Sequence, residues 1–287
     1  MLLQDAFDDF VEWGQSHYSM RTNQTYTSLF KRFVKYMGKD THVEDITIKE
    51  ITKYVLLLNR KNYAESSVAF MVVSIKVFFR YLYMRRLIDW DYNLIRIPRY
   101  SSVHFPTVRT EEMKSMMANV KRKDFIGLRD RTVIRFLYAT GLRVSELVSL
   151  DIGDMDTDIR EAVVLTKKNK NRRLVVWDHE TNDLLKKYIY ERELHAKDES
   201  LFLGVGNNKY GKRISVRAIQ RIIKKYRCGR GVVPHSFRSG LATDMLEGNV
   251  ALPVIQKVLG HSSLNSLEPY VRVHNPHLKK EYHRVRG

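Results

Sequence analysis

One interruption divides a sequence whose apolar residues otherwise follow a helical pattern. The segment NLIRIPRYSSVHFPTVR, residues 93–109, has no periodicity, contains Pro98 and Pro106, and has a polar middle. On either side, apolar residues recur three and four positions apart, as they do on buried helix faces. The chain has 287 residues, 44% of them hydrophobic, which is enough for a core in each part. The sequence therefore predicts two domains, residues 1–92 and 110–287, joined by a linker at 93–109.

The first part predicts a four-helix unit. Apolar stripes begin at Leu3 and at Tyr26, and further helices are expected to start near Thr47 and Ser66. The most apolar run, residues 68–84, is interrupted by two cations. That run therefore predicts a buried helix rather than a membrane span.

The second part predicts more helices and one small sheet. An apolar helix over 128–139 should end at Gly141, with the next helix starting around Arg143. Thr110 is the expected N-cap of the first helix after the linker. Residues 162–177 have two β-branched arms around a polar tip, which indicates a hairpin. The predicted fold class is mainly α with a small antiparallel β-sheet.

Positive charge is concentrated in the second part. The formal net charge is +18, and residues 101–287 carry 35 basic against 21 acidic side chains. Five of the seven residues from 167 to 173 are basic, and residues 201–243 contain ten basic and no acidic side chains. Such an excess indicates nucleic acid or an anionic membrane surface as the partner. Because solvated helix faces normally mix signs, we expect a phosphate-binding surface.

Four short segments hold side chains that could act on a phosphate. In ATGLRVSEL, Arg143 begins a helix and can direct its planar guanidinium at an anion; the alternative is an ordinary surface ion pair with Glu146. In PHSFR, His235 and Arg238 lie three apart and share a helical face. In LGHSS, His261 follows a glycine that should end a helix. The fourth segment contains Tyr270, which lies nine residues after His261 and directly follows Pro269. Each segment alone is more often structural than functional.

Taken in order, these segments resemble the tyrosine recombinase/integrase family in its compact, two-domain, Xer-like form. RDRTVIRFLYATGLRVSEL (129–147) and LGHSSLNSLEPY (259–270) are the most specific stretches. The resemblance implies a helical N-terminal core-binding domain followed by an α+β catalytic domain. The catalytic residues that it implies are Arg143, Lys167, His235, Arg238, His261 and Tyr270.

The resemblance also implies a role for each of these residues. The two arginines and His261 would hold the scissile phosphate, while Tyr270 attacks it to form a 3′-phosphotyrosine. His235 would act as base or proton relay, and Lys167 would protonate the leaving 5′-oxygen. The family usually has glycine on both sides of this lysine, whereas Thr166 and Lys168 flank it here. Because Lys168 and Lys170 stand close by, the choice of Lys167 rests on register. Tyr282 is the alternative nucleophile.

Further basic side chains are expected to contact the DNA. They are Lys76, Arg80, Lys168, Lys170, Arg172, Arg173, Arg217, Arg221 and Lys224. We expect no cofactor, since the mechanism implied needs neither metal nor ATP and Cys228 is the only cysteine. The expected partner is duplex DNA carrying paired sites, with no membrane partner and a cytoplasmic location.

The C-terminal segment, residues 276–287, offers a surface for a second subunit. Leu278, Tyr282 and Val285 fall at helical spacing. The family resemblance implies that this helix docks into a neighbour and links a tetramer on DNA. The alternative is a helix folded back on its own domain.

Two other functions remain open from the sequence. A type IB topoisomerase shares the same chemistry but reseals the same strand as a monomer. A DNA-binding protein that has lost catalysis would keep the basic surface but form no covalent adduct. RNA binding is disfavoured because no aromatic-rich stacking signature is present.

Overall fold

A computed structural model describes residues 1–100, 106–165, 172–206, 210–229 and 231–260. The chain divides into two compact units, Met1–Val103 and His104–Gly287, and each is described by itself. The first unit is helical. The second combines helices with a three-stranded sheet.

The first unit contains four helices packed around aromatic side chains. They are α1 (Leu3–His17), α2 (Met20–Met37), α3 (Ile48–Arg60) and α4 (Glu65–Met84). Thr47 caps α3, as expected, and its partner in the cap is Glu50. The ring of Phe78 lies 5.4 Å from Phe10 and 4.1 Å from Phe30, so one aromatic residue of α4 joins α1 to α2.

Helix α4 is long and apolar enough to cross a membrane by length and composition alone. Ten of its residues are nevertheless buried, including Val72, Ile75 and Phe79. Its apolar faces therefore belong to the core of a folded unit, which agrees with the predicted buried helix.

The second unit surrounds α6 with helices and one face of the sheet. Its helices are α5 (Thr110–Ala118), α6 (Phe125–Thr140), α7 (Val144–Ser149), α8 (His179–Glu193), α9 (Val216–Tyr226), α10 (Pro234–Glu247) and α11 (Leu252–Leu259). Asp124 caps the start of α6 by accepting a hydrogen bond from the Gly127 amide, and Gly141 ends it with φ +57°. The end at Gly141 and the new helix after Arg143 were both predicted.

The sheet consists of β1 (Met155–Asp156), β2 (Glu161–Leu165) and β3 (Arg172–Val176) in antiparallel order. The predicted hairpin is confirmed by β2 and β3, and β1 adds a third short strand. Val164 pairs with Arg173 and Ala162 with Val175 in the ladder. Ala162, Val164 and Val175 are buried, so Arg173, which lies at the same parity, also faces the core.

Both ends of the segment predicted as a linker are packed into a core. Ile95 is buried with the aromatic core of the first unit, and its carbonyl accepts a hydrogen bond from Lys76 at 3.4 Å. Val108 is fully buried in the second unit. The predicted linker, 93–109, is therefore too wide, because apolar side chains at each end bury themselves against the adjoining unit. Arg109, and not Thr110, occupies the N-cap position of α5.

Candidate active site

Arg143 lies in the tight turn between α6 and α7. Gly141 makes this turn possible: its φ is positive, and a Cβ there would lie 2.8 Å from Leu241 on α10. The Arg143 amide then donates to Glu146 Oε2 at 2.9 Å, which satisfies a free donor at the start of α7. The Arg143 side chain is 42% exposed, so its guanidinium reaches solvent.

Glu146 is the buried acid of this site. Its side chain is 2% exposed and accepts hydrogen bonds from Arg143 Nη1 and Arg173 Nη2, each at 2.9 Å. Burial by itself would raise the pKa of Glu146, but the hydrogen bond from the Arg143 amide and the charge of Arg173 outweigh it, so the pKa is lowered. The Arg143–Glu146 ion pair offered as the alternative therefore forms, but it is not the expected surface pair, because its acidic end is buried.

His235 and Arg238 share the first turns of α10, as predicted from PHSFR. Pro234 begins this helix at a position where its missing N–H costs nothing. Arg238 is 1% exposed, and its Nη1 donates to the Gly141 carbonyl at 3.1 Å. His235 remains exposed at the surface. Its partial burial, followed by the charges of Arg238 and Arg143, lowers the pKa of His235.

The N-terminal end of the second unit holds α10 in place. The Val108 amide donates to the Ser236 carbonyl at 3.1 Å, and a Cβ on Gly240 would lie only 2.3 Å from the Val108 carbonyl oxygen. Arg109 then forms ion pairs with Asp244 and Glu247, at 2.9 and 2.6 Å. The helix that carries His235 and Arg238 is thus fixed along its length.

Three arginines converge on the last turn of α11. Arg173 Nη1 donates to the Val258 carbonyl at 2.5 Å, Arg238 Nη2 to the Leu259 carbonyl, and Arg143 Nη2 to the Gly260 carbonyl at 3.3 Å. The carbonyls at a helix C-terminus carry partial negative charge, so they suit cations. Gly260 has φ +63° and ends the helix, as predicted. Arg143 and Arg238, two of the six predicted catalytic residues, are therefore brought to one place.

Several predicted residues lie outside the described parts of the chain. They are Lys167, Lys168 and Lys170 between β2 and β3, His261 and Tyr270 after α11, and the alternative nucleophile Tyr282. His261 directly follows Gly260, whose carbonyl accepts a hydrogen bond from Arg143. In the described parts of the chain, no group of three His, Cys, Asp or Glu side chains is placed to hold a metal ion.

The predicted DNA contacts differ in exposure. Arg217, Arg221 and Lys224 are exposed on α9, opposite its buried face, and Arg80 and Arg172 are exposed too. Lys76 is half-buried beside Ile95. Arg173 requires a correction: its side chain is 8% exposed and both of its terminal nitrogens are bonded inside the protein. It is therefore not part of the exposed basic surface.

Arg173 was predicted as a DNA contact and not as a member of this cluster, and Glu146 was predicted only as an ion-pair partner of Arg143. The spacing of Glu146, three residues after Arg143, permits the helical contact that is observed. Arg173 lies two residues before Val175, and alternation along the strand puts both side chains on the same face. Reading the hairpin by parity could therefore have placed Arg173 inside.

Comparison with known proteins identifies the family to which this chain belongs. Residues 106–277 match the phage integrase family, and residues 3–89 match the N-terminal SAM-like domain of phage integrases. The chain therefore belongs to the phage integrase family, which confirms the resemblance to tyrosine recombinases.

Individual relatives cover almost the whole chain. It is 30% identical to tyrosine recombinase XerC of Pelotomaculum thermopropionicum, over 92% of this chain and 91% of the relative. It is 27% identical to XerC of Listeria monocytogenes, over 98% and 96%.

Solved structures show the same fold. The XerA recombinase is 25% identical with a TM-score of 0.53, over 99% of both chains. The Tn1549 transposon integrase in complex with transposon right end DNA has a TM-score of 0.80 at 17% identity, over the full length of both chains. A lambda integrase dimer bound to a core site has a TM-score of 0.76 at 17% identity, over 94% of this chain and 95% of that chain.

Proposed function

We propose that this tyrosine recombinase cuts and rejoins duplex DNA at specific sites through a 3′-phosphotyrosine formed on Tyr270. Family membership and relatives named tyrosine recombinase support an enzyme that breaks and rejoins DNA strands. Solved relatives bound to DNA support duplex DNA as the partner. The residue roles below come from the family resemblance together with the geometry of the described residues.

The observation that carries the proposal is the convergence of Arg143 and Arg238 at the end of α11. When a nucleophile attacks a phosphodiester, the pentacoordinate phosphorus gains a second negative charge on its nonbridging oxygens. Guanidinium groups fixed beforehand in a site of low polarity stabilise that charge strongly. Three arginines and one carboxylate meet here, so the described cluster carries surplus positive charge for the phosphate.

The proton movements follow from the side chains around the phosphate. The phenol of Tyr270 has an ordinary pKa near 10, so it must lose its proton as it attacks. His235 suits the role of base because its lowered pKa keeps the imidazole neutral near pH 7. Attack forms the tyrosine O–P bond and breaks the bond to the 5′-oxygen, which takes a proton from Lys167. His261 donates a further hydrogen bond to the phosphate.

The covalent intermediate allows rejoining without an external energy source. The 3′-phosphotyrosine replaces the phosphoester bond that was cut with a new one, so a 5′-hydroxyl can attack its phosphorus, form a new P–O bond and release the tyrosine. If that hydroxyl comes from a second DNA duplex, the strands are exchanged. If it comes from the same strand, the result is the topoisomerase reaction.

Assembly on DNA forms the second part of the proposal. We expect four protomers on two DNA sites, linked by the C-terminal segment 276–287, and a cytoplasmic location. Removing residues 276–287 should leave binding to a single site intact and abolish pairing of two sites, as measured by native gel electrophoresis. Undiminished pairing by the truncated protein would reject this role for the segment.

Covalent trapping tests the chemistry directly. The protein is mixed with sheared genomic DNA from its source organism and denatured, and the DNA bound to it is sequenced to find the cut site. Tyr270→Phe should abolish the covalent adduct and retain DNA binding, while Tyr282→Phe should retain both. An adduct that persists in Tyr270→Phe would overturn the choice of nucleophile. Two-site recombination and supercoil relaxation then separate a recombinase from a topoisomerase.

A further inference from the structure

Arg173 occupies the centre of the buried side of the cluster. We propose that it is a positioning residue, which fixes the last turn of α11 against the Arg143–Glu146 pair and does not contact DNA. The inference rests on the proposed function, since it concerns the geometry of the same phosphate site. It adds a residue that none of the predicted catalytic roles includes.

The position of Arg173 in the sheet directs its side chain into the protein, where DNA cannot contact it. It pairs with the buried Val164 across the hairpin, and its side chain is 8% exposed. Its neighbour Arg172 is exposed on the opposite face of the same strand. The two adjacent arginines therefore have opposite surroundings, which makes them a natural pair for comparison.

The contacts of Arg173 join two parts of the site. Nη2 donates to Glu146 Oε2 at 2.9 Å, and Nη1 donates to the Val258 carbonyl at 2.5 Å. A Cβ placed on Gly260 would lie 2.6 Å from Arg173 Cδ and 2.9 Å from Nε. The arginine stem thus packs directly beneath the residue that ends α11, in space that only glycine leaves open.

The guanidinium of Arg173 therefore sets the distance between Arg143 and the last turn of α11, on which the proposed reaction depends. Glu146 is also the acceptor for Arg143, so Arg173 connects Arg143 to the last turn of α11 through one carboxylate. His261 follows that turn directly in the chain. A planar fork with two separate donors can hold both acceptors, whereas the lysine ammonium is a single point on a flexible stem. Arg173→Lys should keep the positive charge but no longer hold Glu146 and the last turn of α11 at their fixed distance.

A DNA contact and a positioning residue have different signatures. Each phosphate contact contributes about 0.9 to the slope of log K against log salt concentration. Loss of a positioning residue leaves that slope unchanged and lowers the rate at saturating DNA, and a displacement of about 1 Å can cost on the order of 10²-fold. A protein that is merely destabilised would form less adduct, but the active molecules would react at the normal rate.

The experiment compares Arg173→Met, Arg173→Lys and Arg172→Ala in the full-length protein. The DNA dissociation constant is measured across a series of salt concentrations, and the rate constant and amplitude of adduct formation are measured with saturating DNA in a single turnover. Both Arg173 variants should keep the wild-type salt slope and lose about 10²-fold in rate constant. Arg172→Ala should lower the slope of log K against log salt concentration by about 0.9, the contribution of one phosphate contact. A lower slope for the Arg173 variants, or a normal rate constant with lower amplitude, would overturn the proposal.

A second measurement does not depend on DNA or on activity. In the free protein, hydrogen exchange of the peptide 252–260 should be at least about tenfold faster in Arg173→Lys, because a charged hydrogen bond to the helix end is lost. Exchange in α5, residues 110–118, serves as the internal control and should not change. Unchanged exchange in 252–260 would overturn the proposal even if no cleavage were seen. Absence of an adduct from wild-type protein would count against the proposed function alone.

Discussion

Replacement of Glu146 by glutamine tests how the arginine cluster is held together. The change removes one negative charge, keeps the size of the side chain, and leaves one oxygen able to accept a hydrogen bond. Glu146 lies between two guanidinium groups, so its loss leaves Arg173 buried without its countercharge. We expect the second unit to lose stability before any effect of DNA is considered.

The two ion pairs of Glu146 contribute unequally. The Arg173 pair is buried at both ends, with side chains 8% and 2% exposed, and breaking such a pair typically costs about 3–5 kcal/mol. The Arg143 end is 42% exposed, where a pair is worth about 1 kcal/mol or less. Because glutamine keeps one acceptor, we expect the lower end, about 3 kcal/mol. For a unit of this size that corresponds to a fall of about 6–12 °C in Tm.

Thermal unfolding followed by circular dichroism measures the loss of stability in Glu146→Gln. The pH dependence of that loss tests whether the charge of Glu146 is its cause. The pKa of Glu146 is lowered in the folded protein, so its contribution is fully present above the ordinary value of 4.5 and disappears as the pH falls through the lowered pKa. The difference between wild type and variant should therefore narrow below pH 4.5. Glu180→Gln is the matched control, because this acid also pairs with an arginine but is 75% exposed, and it should cost about 0.5 kcal/mol or less. A loss below about 1 kcal/mol for Glu146→Gln at pH 7 would refute the reasoning.

The other predictions concern packing, DNA binding and proton transfer. Gly240→Ala places a Cβ 2.3 Å from the Val108 carbonyl oxygen and should cost about 1–3 kcal/mol in chemical denaturation; Gly153→Ala, with no atom within 4 Å, is the control and should be nearly neutral. Arg221→Ala should weaken DNA binding and reduce the salt slope by about 0.9, and an unchanged slope would exclude a phosphate contact there. Because the pKa of His235 is lowered, adduct formation should rise with pH around a midpoint below 6.5. A midpoint above 6.5, or an NMR titration of the ring above that value, would contradict its role as a neutral base.

Local features of the fold were predictable because their causes lie close together in the sequence. Gly141 and Gly260 end helices since each adopts a positive φ, and the residues that surround them show the periodicity of the helices. The hairpin follows from two β-branched arms and a polar tip. The linker was less predictable, because whether Ile95 and Val108 are buried depends on surfaces built elsewhere in the chain.

In the candidate site, too, the local features were predictable from the sequence and the long-range contacts were not. The order of the six predicted catalytic residues, together with the stretches 129–147 and 259–270, was enough to indicate phosphate chemistry and the family. The direction in which each side chain points was not, and Arg173 is the clearest case, since a run of basic residues favoured the surface but strand pairing turned this one inward. Glu146 similarly serves two arginines, and only one of them is near it in sequence.

The sequence by itself determined the helical framework, the sign of the charge and the chemical groups available to a phosphate. Tertiary structure alone decided their meeting at α11, because the contacts there join residues 21, 85 and 117 positions apart. Periodicity reports on neighbours within a few turns of one element, whereas these hydrogen bonds form only after separate helices and a strand have packed together. The physical reason is the geometry of packing, which brings three cations to successive carbonyl groups of one helix end.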